Sequence, residues 1–128
     1  MGVRDNWEVQ LRMKYIIADP DKKSHFELKN ILDEIDILDV QGSCMTLDAA
    51  ENSIRIEPPD IVFIKMGKAK LNAFKLMGLI REQNLTSKVI VFSNYAEDAV
   101  QAFEYEADGF LLAPFKREQV ERLVQRYI

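Results

Sequence analysis

The feature that most constrains the fold is a regular alternation of short apolar runs with segments of helical periodicity. Two runs, residues 60–65 (DIVFIK) and 88–92 (KVIVF), are almost continuously apolar and rich in β-branched side chains. Such strands are typical of a parallel sheet, in which both faces of a strand are buried. Because parallel strands need long crossover connections, helices have to cover the sheet. The alternation therefore predicts an α/β fold.

Three weaker strands complete the series. Residues 14–18 (KYIIA) form an apolar run that stops at an Asp-Pro-Asp turn. Residues 38–44 are interrupted by polar and glycine positions, and residues 109–112 (GFLL) are short. With the two apolar runs, these segments give five predicted strands.

Between the strands, apolar residues recur at spacings near 3.6 and predict five amphipathic helices. The predicted helical segments are residues 24–35, 46–56, 71–83, 97–106 and 117–127. Ser24 and Thr46 are suited to begin the first two helices, and Phe26 and Ile56 fall within their apolar patterns. Since crossovers are right-handed, the helices cover both faces of the sheet. We therefore expect a leader of residues 1–12 and a three-layer, doubly wound α/β domain over residues 13–128.

Composition excludes several classes of protein. The chain has 128 residues, 48% apolar and 30% charged, which suits one globular domain. It contains no apolar run near the roughly 18 residues of a membrane span, and no apolar signal segment at its start. The net charge of −4 argues against direct nucleic-acid binding. A single cysteine, Cys44, fits a reducing compartment, so we expect a cytoplasmic location and no membrane contact.

The residues at the carboxyl ends of the strands indicate where a site would lie, because ligands bind at that edge of a doubly wound sheet. Asp19, Pro20 and Asp21 follow the first strand, Lys65 ends the third, Ser93 follows the fourth and Ala113 the fifth. With the fifth-strand run Ala107–Phe115 (ADGFLLAPF), the chain from Met13 to Tyr127 resembles a response-regulator receiver domain. The similarity is strongest to receivers that precede LytTR-type DNA-binding domains.

The resemblance implies a flavodoxin-like sheet of five parallel strands in the order 2-1-3-4-5, with five helices. It also implies a phosphorylation pocket in which two acids hold magnesium and an aspartate accepts the phosphoryl group. A hydroxyl residue and a lysine then bind the phosphoryl oxygens. The aligned residues depart from this set: Asp19 matches the first acid, Pro20 replaces the second, Asp21 is acidic one place later, Lys65 replaces the acceptor, Ser93 matches the hydroxyl and Ala113 replaces the lysine. Phe110 takes the switch-aromatic position.

Lys65 is the most consequential of these departures, since a protonated ammonium has no lone pair with which to attack phosphorus. We hypothesise an ion pair between Lys65 and Asp19 that holds the pocket in one state. Alternatively, the Lys65 stem packs at the strand end with its head in water. Asp19 and Asp21 are either pocket acids or ordinary turn residues. Ser93 is either a pocket hydroxyl or a loop and cap hydroxyl.

These observations predict a phosphorylation-independent pseudo-receiver that acts through protein contact or dimerisation. We expect no enzymatic activity, cofactor or metal. By the resemblance, the contact surface is formed by the fourth helix, fifth strand and fifth helix: Val100, Phe103, Glu104, Phe110, Arg117, Glu121 and Arg122. A DNA-binding output domain C-terminal to the receiver in the full-length protein is a further expectation. The alternative function is a small-anion or ligand sensor that uses Lys65, Ser93 and the nearby Lys68, Lys70 and Lys75.

Two other residues carry separate predictions. His25 has no second histidine or cysteine nearby, so a surface or capping role is expected. Val3, Trp7 and Leu11 share helical spacing. The leader is therefore expected either to pack on the domain or on a partner, or to have no role.

Overall fold

Five parallel strands form the centre of the structure. The computed structural model describes residues 12–67, 72–83 and 85–127. The strands are β1 (Met13–Ala18), β2 (Leu38–Cys44), β3 (Ile61–Lys65), β4 (Lys88–Ser93) and β5 (Gly109–Leu112). They pair in the order β2-β1-β3-β4-β5, and every pairing is parallel. The predicted strand order and fold class are confirmed.

Five helices connect the strands and form two layers. They are α1 (Lys22–Asp33), α2 (Leu47–Ile56), α3 (Ala73–Glu82), α4 (Asp98–Glu104) and α5 (Arg117–Gln125). Apolar residues of α1 and α5 pack on one face of the sheet, and those of α2, α3 and α4 pack on the other. Successive residues of β3 alternate between the two cores: Ile61 and Phe63 belong to the first, Val62 and Ile64 to the second. Burial of both faces explains why the first four residues of this strand are all apolar.

The helix boundaries follow the local capping chemistry. Thr46 caps α2 as predicted, since its hydroxyl oxygen accepts from the backbone N–H of Ala49 at 3.1 Å. The prediction that Ser24 caps α1 is wrong. Asp21 is the N-cap, and its carboxylate accepts from the N–H of Lys23 at 3.0 Å. The Ser24 hydroxyl instead bonds to Asp19.

Two apolar residues lie outside the buried faces. Phe26 is exposed, and Ile56 is 76% exposed. Each lies on the side of its helix that is turned away from the core. Ile56 is two residues, about 200° of helical rotation, from the buried Ile54. Phe26 is related in the same way to the buried Leu28.

The predictions for the leader and for two lysines of the alternative anion sensor concern residues outside those that the structure describes. This applies to residues 1–11, and to Lys68 and Lys70. No helix in the ranges given above is both long enough and apolar enough to cross a membrane.

Candidate functional site

The predicted pocket residues meet at the carboxyl edge of the sheet. Asp19, Lys65 and Ser93 are all buried there, at the ends of the adjacent strands β1, β3 and β4. Ala113 follows β5, and its N–H donates to the carbonyl of Ser93 at 2.8 Å. The peptide bond between Ala113 and Pro114 is cis. The sheet order alone therefore brings these four positions to one place.

Asp19 organises the loop that leads into α1. One carboxylate oxygen accepts from the backbone N–H of Asp21 at 2.8 Å, and the other from the Ser24 hydroxyl at 2.5 Å. Its own N–H donates to the carbonyl of Cys44 at 3.0 Å. Both carboxylate oxygens are thus engaged within the loop. This arrangement matches the turn-residue interpretation of Asp19, while Asp21 serves as the exposed N-cap.

His25 lies beneath this loop and is fully buried, so the predicted surface position is wrong. Its Nδ1 is 2.9 Å from the carbonyl oxygen of Asp19, and its Nε2 contacts the hydroxyl of Ser43. Because a carbonyl only accepts, Nδ1 carries the proton and Nε2 accepts from Ser43 in the neutral ring. A signal for this burial exists in the sequence: His25 precedes Leu28 and Leu32 on one helical stripe.

Lys65 is buried, with 7% of its surface exposed. Its Nζ donates to the Oδ1 of Asn94 at 3.1 Å and lies 5.6 Å from the centroid of the Phe92 ring. The hypothesis of an ion pair with Asp19 is wrong, because Lys65 forms no ion pair with either Asp19 or Asp21, all three being described residues. The carboxylate of Asp19 already has two donors. The sequence places Asn94 directly after β4, next to β3, but no role was predicted for its side chain.

Ser93 binds its own loop. Its hydroxyl donates to the Oδ2 of Asp98 at 2.5 Å and accepts from the N–H of Tyr95 at 3.0 Å. Gly67 approaches the same group with a φ of 105°, and a Cβ there would lie 3.4 Å from Asp98 Oδ2. The Ser93 hydroxyl therefore stabilises the start of α4, in agreement with its interpretation as a loop and cap hydroxyl.

An open cavity of 320 Å³ lies beside these residues. Its lining residues are Asp21, Lys23, Ser24, Glu27, Asn94, Ala113 and Pro114. Two carboxylates and one ammonium face this cavity, so its charge does not favour a dianionic ligand.

The residues present do not fit the magnesium ion that the resemblance implies. Mg²⁺ is usually held by one or two carboxylates that are free to bind it. Pro20 replaces one acid, both oxygens of Asp19 accept hydrogen bonds from protein groups, and the Lys65 ammonium lies at the third strand end. Within the described ranges, no three His, Cys, Asp or Glu side chains cluster closely enough to hold a metal.

The residues predicted to form the contact surface lie in two separate places. A groove of 460 Å³ runs between α4, β5 and α5 and is lined by Phe103, Phe110, Arg122 and neighbouring residues. Val100 and Phe103 are 67% and 52% exposed beside it. Phe110 is half-buried and packs against the core on the α4 side of the sheet.

Arg117 and Glu121 lie outside the residues that line this groove. The guanidinium of Arg117 donates to Glu34, at the end of α1, at 2.8 Å and to Glu121 at 3.2 Å. These two residues lie on the side of α5 that faces α1. Arg122 directly follows Glu121, about 100° further around the helix, and lies about 140° from Arg117, so one narrow face of α5 does not hold all three.

Comparison with known proteins agrees with the fold. The response regulator receiver domain family matches residues 15–125 of the chain. The chain belongs to this family. The predicted resemblance is therefore confirmed, and residues 15–125 of this receiver domain account for most of the chain.

Individual relatives place the receiver domain within longer proteins. It is 24% identical over 115 residues to the sensory transduction protein LytT of Bacillus anthracis, covering 90% of this chain and 47% of LytT. It is 28% identical over 120 residues to the transcriptional regulatory protein LytR of Staphylococcus aureus, covering 89% and 46%. The receiver domain thus spans about half the length of these curated relatives.

Among solved structures, the signal receiver domain of NarL from Mycobacterium tuberculosis superposes with a TM-score of 0.80 at 20% identity. The match covers 90% of this chain and 94% of that one. At this identity, the similarity establishes the shared fold.

Proposed function

We propose that this receiver domain signals without being phosphorylated, through contact with another protein. The observation that carries the proposal is Lys65, a buried cation at the end of β3 whose ammonium is bonded to Asn94. The receiver family is expected to have a nucleophilic aspartate at this position. In this proposal the domain is not an enzyme.

The chemistry of the neighbouring groups supports the proposal. Phosphoryl transfer to a carboxylate needs a nucleophile with a free lone pair, and cations or hydroxyl donors that neutralise the developing charge. Lys65 supplies no lone pair while protonated. The Ser93 hydroxyl donates to Asp98, and Ala113 has no donor in its side chain.

The direct test is exposure of the native chain to acetyl phosphate and Mg²⁺, followed by intact-mass analysis. We expect no phosphoryl adduct. The matched variant carries Pro20→Asp, Lys65→Asp and Ala113→Lys. These substitutions restore, on the same backbone, the pocket residues that the resemblance to receiver domains implies. A phosphoryl adduct on the native chain, mapped to a carboxylate at the strand ends, would contradict the proposal.

The small-anion or ligand sensor remains the second candidate. The observation in its favour is the space of the 320 Å³ cavity next to Asn94 and Ala113, although the two carboxylates at this cavity disfavour a dianion. An amide NMR titration with Mg²⁺ and beryllofluoride separates the two. Unchanged signals at Asp19, Lys65, Ser93 and Ala113 agree with the pseudo-receiver. Saturable shifts at those residues that disappear in Lys65→Glu would favour the sensor.

We further propose that the contact surface is the groove formed by α4, β5 and α5, with Val100 and Phe103 as its apolar part. Glu104 and Arg122 supply charges at its edges. The resemblance to LytTR-type receivers, together with the greater length of the relatives, leads us to propose a DNA-binding output domain after the receiver in the full-length protein. The single cysteine leads us to propose a cytoplasmic location.

A further inference from the structure

A second, smaller groove lies at the opposite edge of the sheet from the pocket. It has a volume of 220 Å³ and is lined by Ile35, Asp36, Ile37, Glu121, Val124 and Gln125. It lies between the α1–β2 connection and α5. Its volume is below the roughly 300 Å³ at which small-molecule pockets begin, so a single large side chain suits it better than a ligand.

The walls of this groove favour an apolar occupant. Ile35 and Val124 are buried members of the core beneath it, and Ile37 packs against the same core. The two carboxylates at the rim already have cations: Asp36 lies 3.7 Å from the guanidinium of Arg12, and Glu121 accepts from Arg117. A cationic ligand would therefore have to compete with these two arginines.

The chain enters the domain beside this groove. Arg12 donates two hydrogen bonds to Asp39, at 2.9 and 2.6 Å, in addition to its ion pair with Asp36. The N–H of Met13 donates to the carbonyl of Ile37 at 2.7 Å. The leader is therefore joined to Arg12, whose side chain is held at the rim of the groove by Asp36 and Asp39.

We propose that the leader, residues 1–11, docks on this groove of its own chain, with Trp7 as the inserted side chain. Val3, Trp7 and Leu11 are spaced four residues apart in the sequence, a spacing that in a helix places three side chains on one apolar face. Trp7 lies five positions before Arg12, about 8 Å along a helix and at most about 18 Å in extended chain. The amide of Gln125 at the groove offers an acceptor for the indole N–H.

Fluorescence tests the proposal directly, because Trp7 is the only tryptophan. In the native chain we expect its emission at shorter wavelength than in the same chain unfolded in urea, with acrylamide quenching reduced severalfold. Emission and quenching equal to those of the unfolded chain would overturn the proposal.

Amide NMR tests which groove Trp7 occupies. We expect Trp7→Ala to shift the signals of Ile35, Ile37 and Val124. The matched control is Val9→Ala, which removes an apolar side chain about 200° away on the same segment and should leave those signals in place. Shifts that are equal at low and high protein concentration support docking within one chain. Shifts that vanish on dilution would place Trp7 on a second copy and overturn the proposal, as would the absence of shifts.

Discussion

Asp108 and Gly109 stabilise the packing of β5 against its neighbours. Asp108, in the run that carries the family resemblance, accepts the N–H of Val89 at 2.7 Å, and its carbonyl accepts the Tyr127 hydroxyl at 3.0 Å. The adjacent Gly109 leaves room for Leu123 of α5. This part of the motif therefore specifies how β5 and α5 pack.

Substitution of glycine by alanine is expected to have opposite effects on stability at Gly109 and at Gly78. A Cβ at Gly109 would lie 3.0 and 3.2 Å from the two methyl groups of Leu123 and 3.3 Å from the Tyr127 hydroxyl. We expect Gly109→Ala to lower the free energy of unfolding by about 1–3 kcal/mol through overpacking. Urea denaturation of the purified variant measures this value.

The control is Gly78→Ala, within α3. A Cβ there meets no atom within 4 Å among the described residues, so only helix propensity changes. We expect Gly78→Ala to raise the free energy of unfolding by about 0.5–1 kcal/mol. Equal effects of the two substitutions would mean that the space beside Gly109 is not limiting.

At the scale of elements, polar contacts join the sheet to its helices. Tyr15 of β1 is fully buried, and its hydroxyl donates to Asp33, at the end of α1, at 2.9 Å. Burial, together with the nearby carboxylate of Asp33, raises the pKa of Tyr15 above its ordinary range. Burial acts to raise the pKa of Asp33 as well, but hydrogen bonds from Lys29 and Tyr15 outweigh it and lower that pKa.

This contact predicts a pH-dependent effect of Tyr15→Phe. At neutral pH we expect the free energy of unfolding to fall by about 1 kcal/mol, since a hydrogen bond to a charged but half-exposed group is lost. A lowered folded-state pKa means that the stabilisation is present above about pH 4, the ordinary value of aspartate, and is lost as pH falls through the folded value. The effect of Tyr15→Phe should therefore shrink in acid.

Tyr127→Phe is the matched control for this experiment. It removes the same hydroxyl, but the acceptor is the carbonyl of Asp108, which does not titrate. Its effect on urea unfolding should stay nearly constant between neutral and acidic pH. A constant effect of Tyr15→Phe over the same interval would contradict the assigned charge of Asp33.

For the whole molecule, three surfaces are distinct: the pocket edge of the sheet, the 220 Å³ groove at the opposite edge, and the groove of α4, β5 and α5. The last of these is the proposed contact surface. Because Arg117 and Glu121 pair within the chain, we expect association through this surface to depend more on apolar contact than on ion pairs. A symmetric homodimer through this surface would bury the same patch from both copies.

Substitution of exposed aromatic and aliphatic residues tests this surface. We expect Phe103→Glu to abolish concentration-dependent self-association in sedimentation, with little change in Tm because the side chain is already half exposed. Ile56→Glu, on α2, introduces the same charge at another exposed apolar site and should leave association intact. A native chain that stays monomeric at every concentration would contradict the homodimer.

The sequence by itself determined the alternation of elements, the parallel sheet, the family and the residues at each strand end. The alternation and the sheet follow from local periodicity, which is governed by neighbours a few positions apart, whereas the family follows from the resemblance of the fifth-strand run and the strand-end residues to receiver domains. The sequence also identified Lys65 as the departure on which the proposed function depends. Only the tertiary structure decided the partners of these residues: Lys65 bonds to Asn94, 29 positions away, and Arg117 bonds to Glu34, 83 positions away. Hydrogen bonds of that separation depend on how the layers pack, which no local pattern specifies.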